Sequence, residues 1–212
     1  IQSDDIKFRN WNKYIPNIQN NGISNFKELL NKSIRPVILA GNGVKLSNSI
    51  EIFKKLINNI HIPVLLTWSG IDILDDEHQL YFGRPGIYGQ RAANFILQKS
   101  DLLLVLGSRL TLPQTGYNFD EFARKSHIIM VDIDETENKD FVDTFINTDC
   151  NSFIKQIENI TYKNQEWLNE CNKLKKMFPV VDSFHMDNLY PNSYKIIDKI
   201  SDYLKEDTII VT

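Results

Sequence analysis

Two cysteines, Cys150 and Cys171, are all the chain carries, too few and too far apart for a zinc framework or a disulfide scaffold. A reducing cytoplasm is the expectation that follows. Positive charge is in equally short supply: 24 Lys and Arg against 27 Asp and Glu leave a formal net charge of −3. Without a basic excess to neutralise phosphates, nucleic acid is excluded as a main partner. No apolar run approaches the ~20 residues of a membrane helix, and no signal-peptide pattern opens the chain. The membrane is excluded as a partner on the same ground. Acid–base and nucleophilic machinery is sparse as well. Of the four histidines, His61 precedes a predicted strand and His127 begins one, while His78 and His185 stand alone. No paired-His spacing, HExxH or nucleophile elbow occurs. This chain alone is expected to catalyse nothing. It also does not begin with Met, so a fragment of a longer protein is expected.

What is present is a core. Apolar residues make up 42% of 212 residues, enough for one large domain or a domain with appendages. The organising stretch is Gly83 to Arg109. A glycine-rich turn, Gly83-Arg84-Pro85-Gly86, leads through Gly89 to a helix signal at 91–97. Leu102 to Leu106 follows as an unbroken apolar run. Such a run suits a strand covered on both faces, which parallel sheets require. The same pattern recurs at 37–40, 63–67, 128–132 and, more briefly, 145–147. Between these runs, residues 24–30, 50–60 and 153–157 repeat apolar side chains at helical spacing, with Ser24 and Ser47 as expected caps. Strand and helix alternate, which predicts an α/β fold: a doubly wound, Rossmann-like parallel sheet of five or six strands with helices on both faces. Residues 71–90 read as a long loop, rare in a compact domain and often functional.

The ends read differently. Residues 1–22 are polar with isolated aromatics and form an expected linker or arm. The central domain is expected over 23–162, a polar helical linker over 163–189, and the start of a further domain over 190–212, ending in a strand from Asp207.

In doubly wound folds, ligands settle outside the carboxyl ends of the strands. That is where Gly107, Ser108 and Arg109 stand. Gly41-Asn42-Gly43 follows the first strand, but a dinucleotide fingerprint needs a third Gly at position 46, which is Leu, and an acidic end to the second strand, which reads Thr67-Trp68. Two readings of the glycines stay open: bare N–H groups approaching a phosphate, or a tight turn with no ligand. Arg84 and Arg109 sit in Gly-flanked turns as candidate phosphate partners, although an Arg pairing with a nearby carboxylate is the commoner arrangement. Asp132 could accept from a ribose or cap a turn. Trp68 and Tyr88 could flank a flat ring or belong to the core.

Taken together, Arg35 to Gly43, Pro63 to Gly70, Gly83 to Gly89 with Ala92-Ala93-Asn94, Asp101 to Arg109 and Val131 to Asp134 resemble the central domain of thiamine-diphosphate-dependent enzymes of the acetolactate synthase type. The resemblance covers about residues 20–160. It implies that the full-length enzyme decarboxylates a 2-oxo acid and ligates the product to a second carbonyl, as a homodimer or homotetramer. Thiamine diphosphate and Mg²⁺ would be bound by other domains of the same polypeptide, not by this one. The central domain would hold FAD, an ADP-type nucleotide or nothing. Carried over by position, its candidate contacts are Gly41, Asn42, Gly43, Thr67, Trp68, Gly83, Arg84, Gly107, Ser108, Arg109, Asp132 and Asp149. The chain departs from the flavin-binding pattern at Gly41-Asn42-Gly43, where the family has a run of Gly. It departs again at Leu110 to Gly116, where acetolactate synthases resemble Asp-Asp-Arg-Val-Thr-Gly. Losing those charges removes partners for a flavin's polar groups. A stand-alone nucleotide-binding, sirtuin-like NAD-consuming enzyme and a pure interaction module are the alternatives.

Overall fold

The computed structural model describes residues 20–186, 190, 192–205 and 207–210. Five strands, β1 (Pro36–Ala40), β2 (Val64–Leu66), β3 (Leu102–Leu106), β4 (His127–Asp132) and β5 (Thr144–Asn147), form one sheet in the order β2-β1-β3-β4-β5. Every pairing is parallel, with Leu39 opposite Leu65 on one side and Val105 on the other. The apolar runs explain this. All five residues of β1 and all five of β3 are buried, because helices cover both faces and leave no side for polar residues. The doubly wound α/β fold expected from the sequence is what forms.

The helices are α1 (Asn20–Lys32), α2 (Gly43–Leu46), α3 (Ile50–Ile60), α4 (Arg91–Lys99), α5 (Leu112–Thr115), α6 (Cys150–Ile157), α7 (Gln165–Met177), α8 (Ser183–Met186) and α9 (Ser193–Ser201). Three groups pack: α6 against α1, α2 and α3, α4 against α7, and α8 against α9. Phe26 and Phe153 meet edge to face with centroids 5.8 Å apart, locking α1 onto α6. α7 is tied back to the start of β1, where the Trp167 indole N–H donates to the Pro36 carbonyl at 3.0 Å. Asp101 fixes the same corner. Its carboxylate accepts from the backbone N–H of Ile34 (2.7 Å) and Arg35 (2.9 Å) and from the Ser33 hydroxyl, so β1 and β3 start level.

Three local expectations are corrected. α1 begins at Asn20, ahead of Ser24, which lies exposed inside the helix. Burial of Ile23 against the core holds the earlier turn in place, so packing overrides the cap signal. The rest of the expected arm, 1–19, lies outside the described residues. Ser47 does not cap α3: its hydroxyl donates to the Gly43 carbonyl at 2.7 Å and closes α2 instead, while Ser49 takes the cap position. The strand expected from Asp207 is not formed over 207–210, and 211–212 lie outside the described residues. No strand lies beside it among the described residues, and Ile209 and Ile210 are exposed. A lone strand has no ladder to stabilise it.

Candidate functional site

The strand order reverses between β1 and β3, and the region outside their carboxyl ends is the place where such sheets bind ligands. Glycines build its floor. A Cβ on Gly41 would stand 2.5 Å from the Gly107 carbonyl oxygen, and one on Gly43 would stand 2.5 Å from the Gly107 Cα. Gly107 itself has φ +58°, a left-handed conformation that favours glycine. The two strand ends therefore interlock backbone against backbone. The hydrogen bonds follow: Gly41 N–H donates to Leu106 O at 2.8 Å, Gly43 N–H to Gly107 O at 2.9 Å and Gly107 N–H to Val131 O at 3.0 Å. The Gly41 and Gly43 N–H groups are thus spent on the fold, while the Asn42 N–H between them donates to no backbone acceptor, so both readings of this turn stay open.

Above that floor opens a cleft of about 1200 Å³. It brings together ten of the twelve expected positions: Asn42, Gly43, Thr67, Trp68, Arg84, Gly107, Ser108, Arg109, Asp132 and Asp149. Gly41 and Gly83 do not line it. Gly41 lies beneath, and Gly83, at φ +104°, shapes the turn that carries Arg84. The 71–90 segment has no regular helix or long strand, as expected, yet its end is braced. Gly86 N–H donates to the Asn94 side-chain oxygen at 2.8 Å, Asn94 returns a bond to Gly86 O at 3.1 Å, and Gln114 donates to Pro85 O at 2.9 Å. Arg84 and Tyr88 are thus presented from a fixed loop.

The charged groups are partly committed. Arg109 Nε lies 3.3 Å from Glu137 Oε1, and Arg84 Nη1 donates to the Tyr81 hydroxyl at 3.2 Å. Asp149 caps α6, accepting from Ser152 N–H at 2.9 Å and the Ser152 hydroxyl at 3.1 Å. Asp132 ends β4 at the mouth; burial pushes its carboxyl up, against the lowering effect of the Asp134 N–H that it accepts at 3.0 Å. Asp134 is held low by the Thr136 hydroxyl. Trp68 and Tyr88 are not core residues: they are 72% and 79% exposed at the rim.

Several lining residues had no sequence signal. Asn147 crosses from β5 and donates to the carbonyls of Asp132 (3.2 Å) and Ile133 (3.0 Å), a link that only the β4–β5 register reveals. α5 supplies Pro113 and Gln114 from a stretch that gave no helical periodicity. Cys150 also lines the cleft, but burial pushes its thiol up to about 12, with Asp132 and Asp149 adding to the effect. It is a packing thiol, not a nucleophile. Among the described residues no three of His, Cys, Asp and Glu converge as metal ligands would, and no helix is long and apolar enough to cross a membrane.

A parallel, doubly wound sheet with a glycine-floored crevice at its switch point defines a Rossmann-like α/β domain. The chain belongs to the family described as thiamine pyrophosphate enzyme, central domain, whose model matches residues 23–157. It is 33% identical over 199 residues to an acetolactate synthase large subunit of Cyanidium caldarium, covering 89% of this chain and 33% of that protein. A probable acetolactate synthase large subunit of Methanococcus aeolicus is 32% identical over 172 residues, 73% of this chain and 28% of that protein. The acetolactate synthase large subunit of Lactococcus lactis is 30% identical over 188 residues, 86% of this chain and 32% of that protein. The chain thus spans about a third of the length of the curated relatives it matches.

Proposed function

We propose that these residues form the non-catalytic middle domain of a thiamine-diphosphate-dependent enzyme that acts on a 2-oxo acid, and that the crevice holds a nucleoside-bearing ligand of the ADP or flavin type. The observation that carries this reading is the glycine interlock of Gly41, Gly43 and Gly107, which keeps a cleft of about 1200 Å³ open at the switch point of a chain of this family. In this reading Asp132, at the end of β4, would accept from ribose hydroxyls, and the exposed rings of Trp68 and Tyr88 would flank a flat ring. Thiamine diphosphate, when bound, supplies stabilisation of the carbanion left by decarboxylation. In this reading the cofactor and its Mg²⁺ sit in other domains of the same polypeptide, before and after residues 23–162, and the subunits associate as a homodimer or homotetramer in the cytoplasm. This domain positions its neighbours; residues 163–189 link to the next domain, which begins near 190.

Two preparations test the reading. The complete polypeptide is expected to release CO2 from a 2-oxo acid only when thiamine diphosphate and Mg²⁺ are supplied. The 212-residue chain is expected to release none and to give no calorimetric signal with thiamine diphosphate. Turnover of NAD by this chain, or CO2 release by it alone, would overturn the proposal.

A further inference from the structure

The two arginines that line the cleft differ in their commitments. Arg109 lies 3.3 Å from a Glu137 oxygen, whereas among the described residues no carboxylate pairs with Arg84. Arg84 is half-buried, and its guanidinium meets a neutral group, the Tyr81 hydroxyl, which accepts from Nη1 at 3.2 Å. A cation drawn partly out of water without a counter-charge is costly, and an anion arriving beside it offsets that cost. The pair is anchored on several sides. Phe82 N–H donates to Val64 O at 2.9 Å and Leu66 N–H to Gly83 O at 3.0 Å, so the chain here runs along the edge of β2. The Lys175 ammonium of α7 donates to Tyr81 O at 2.8 Å and lies 5.6 Å from the Tyr81 ring centroid. Arg84 N–H donates to Gln90 Oε1 at 3.0 Å. Tyr81 is buried and does not line the cleft, so its hydroxyl is a fixed point behind the guanidinium.

The charges of the cleft are parted. Arg84 comes from the β2 edge, while the carboxylates Asp132, Asp134, Glu135 and Asp149 follow β4 and β5. β2 and β4 stand three spacings of ~4.8 Å apart, more than the ~8 Å over which charges act at physiological salt. An anion on the β2 side thus escapes most of their repulsion. Between the two sides, the backbone N–H groups of Asn42, Ser108 and Arg109 donate to no acceptor and face the cleft, open to the same anion. Resting on the nucleotide-site reading above, we infer that Arg84 takes the anionic group of the ligand and that Tyr81, from outside the cleft, is the positioning residue that aims it.

Calorimetry on the 212-residue chain tests this with two pairs of probes, ADP with adenosine and FAD with riboflavin. The parent binds the phosphorylated member of a pair more tightly, and raising ionic strength from about 0.02 M to about 0.3 M narrows the difference. Arg84→Gln lowers the ratio of phosphorylated to uncharged affinity about tenfold, and Arg84→Lys recovers part of it. Tyr81→Phe keeps the ring in the core and lowers the same ratio about threefold by freeing the guanidinium. In the Arg84→Gln background Tyr81→Phe lowers it no further, because the hydroxyl acts only through Arg84. An equal loss in both backgrounds, or one shared alike by charged and uncharged probes, overturns the positioning role of Tyr81. A ratio untouched by Arg84→Gln overturns the anion contact while leaving the nucleotide site standing. Silence from all four probes overturns the nucleotide-site reading, and this inference with it.

Discussion

Gly107 is the residue on which most depends. Alanine there must adopt φ near +58° and place a methyl 2.5 Å from the Gly43 Cα and 2.9 Å from Cys150 Sγ. The left-handed conformation alone costs about 1–2 kcal/mol; the contact adds to it by forcing β1 and β3 apart. Gly107→Ala is expected to lower stability by roughly 3 kcal/mol or more, read from the urea midpoint, and an unchanged midpoint would refute the interlock. The Cys150 thiol supports a pH prediction. Its folded pKa of about 12 lies above the ordinary value of 9.0. Below pH 9 neither folded nor unfolded chain ionises it, and its contribution is fully present. Between about 9 and 12 only the unfolded chain loses the proton, so stability falls as pH rises through that window. Tyr81 and Tyr162, both raised by burial, act in the same direction. The measurement is therefore a difference: the slope of stability against pH above 9 is expected to be shallower in Cys150→Ala than in the parent, and equal slopes would contradict the burial argument.

At the scale of elements, the sequence spoke clearly where burial was complete. Leu102 to Leu106 and Val37 to Ala40 carry no polar alternation, and both became central strands. Boundaries were harder. Ser24 and Ser47 have the chemistry of caps, yet Ile23 and the tight α2 turn outweigh them, because a cap contributes about 1 kcal/mol and core burial of an isoleucine about 2 or more. The Asp207 stretch is apolar enough for a strand but, among the described residues, has no neighbouring strand to pair with. Of the site, the glycine turns and strand ends were legible, since topology alone places them. Asn147, Pro113 and Gln114 were not: their positions depend on strand register and a four-residue helix that leave no periodic trace. Asp149 was legible as a cleft residue, but its capping of α6 was not. Its carboxylate caps α6 through two bonds to Ser152, so Asp149→Ala is expected to cost about 1–2 kcal/mol and Asp149→Ser to recover part of it. A thermal melt of the two variants measures this; equal losses would deny the cap.

The whole molecule divides by burial. Between Ile23 and Cys171 the apolar side chains form one continuous core. Beyond Phe178, α8 and α9 touch each other and bury no side chain, while Tyr194, Ile197, Ile200 and Tyr203 remain open to solvent. Limited proteolysis is expected to cut first beyond Phe178 and to leave a fragment that contains residues 20–177 and whose melting temperature is unchanged within a few degrees. Loss of cooperative melting in that fragment would show that the tail supports the sheet. The sequence reading sets the end of the central domain at 162, whereas Trp167, Leu168 and Cys171 of α7 belong to the core. The α9 apolar positions repeat at the same helical spacing as those of α3, so periodicity alone does not place the line at Phe178.

Because the floor of the crevice is backbone pressed on backbone, its gauge does not depend on which side chains stand around it. Exposed rim positions such as Tyr88 or Glu135 can drift through mutation without widening or collapsing the opening. A lineage could exchange one ligand for another, or abandon ligands altogether, while handing its neighbours the same rigid spacer.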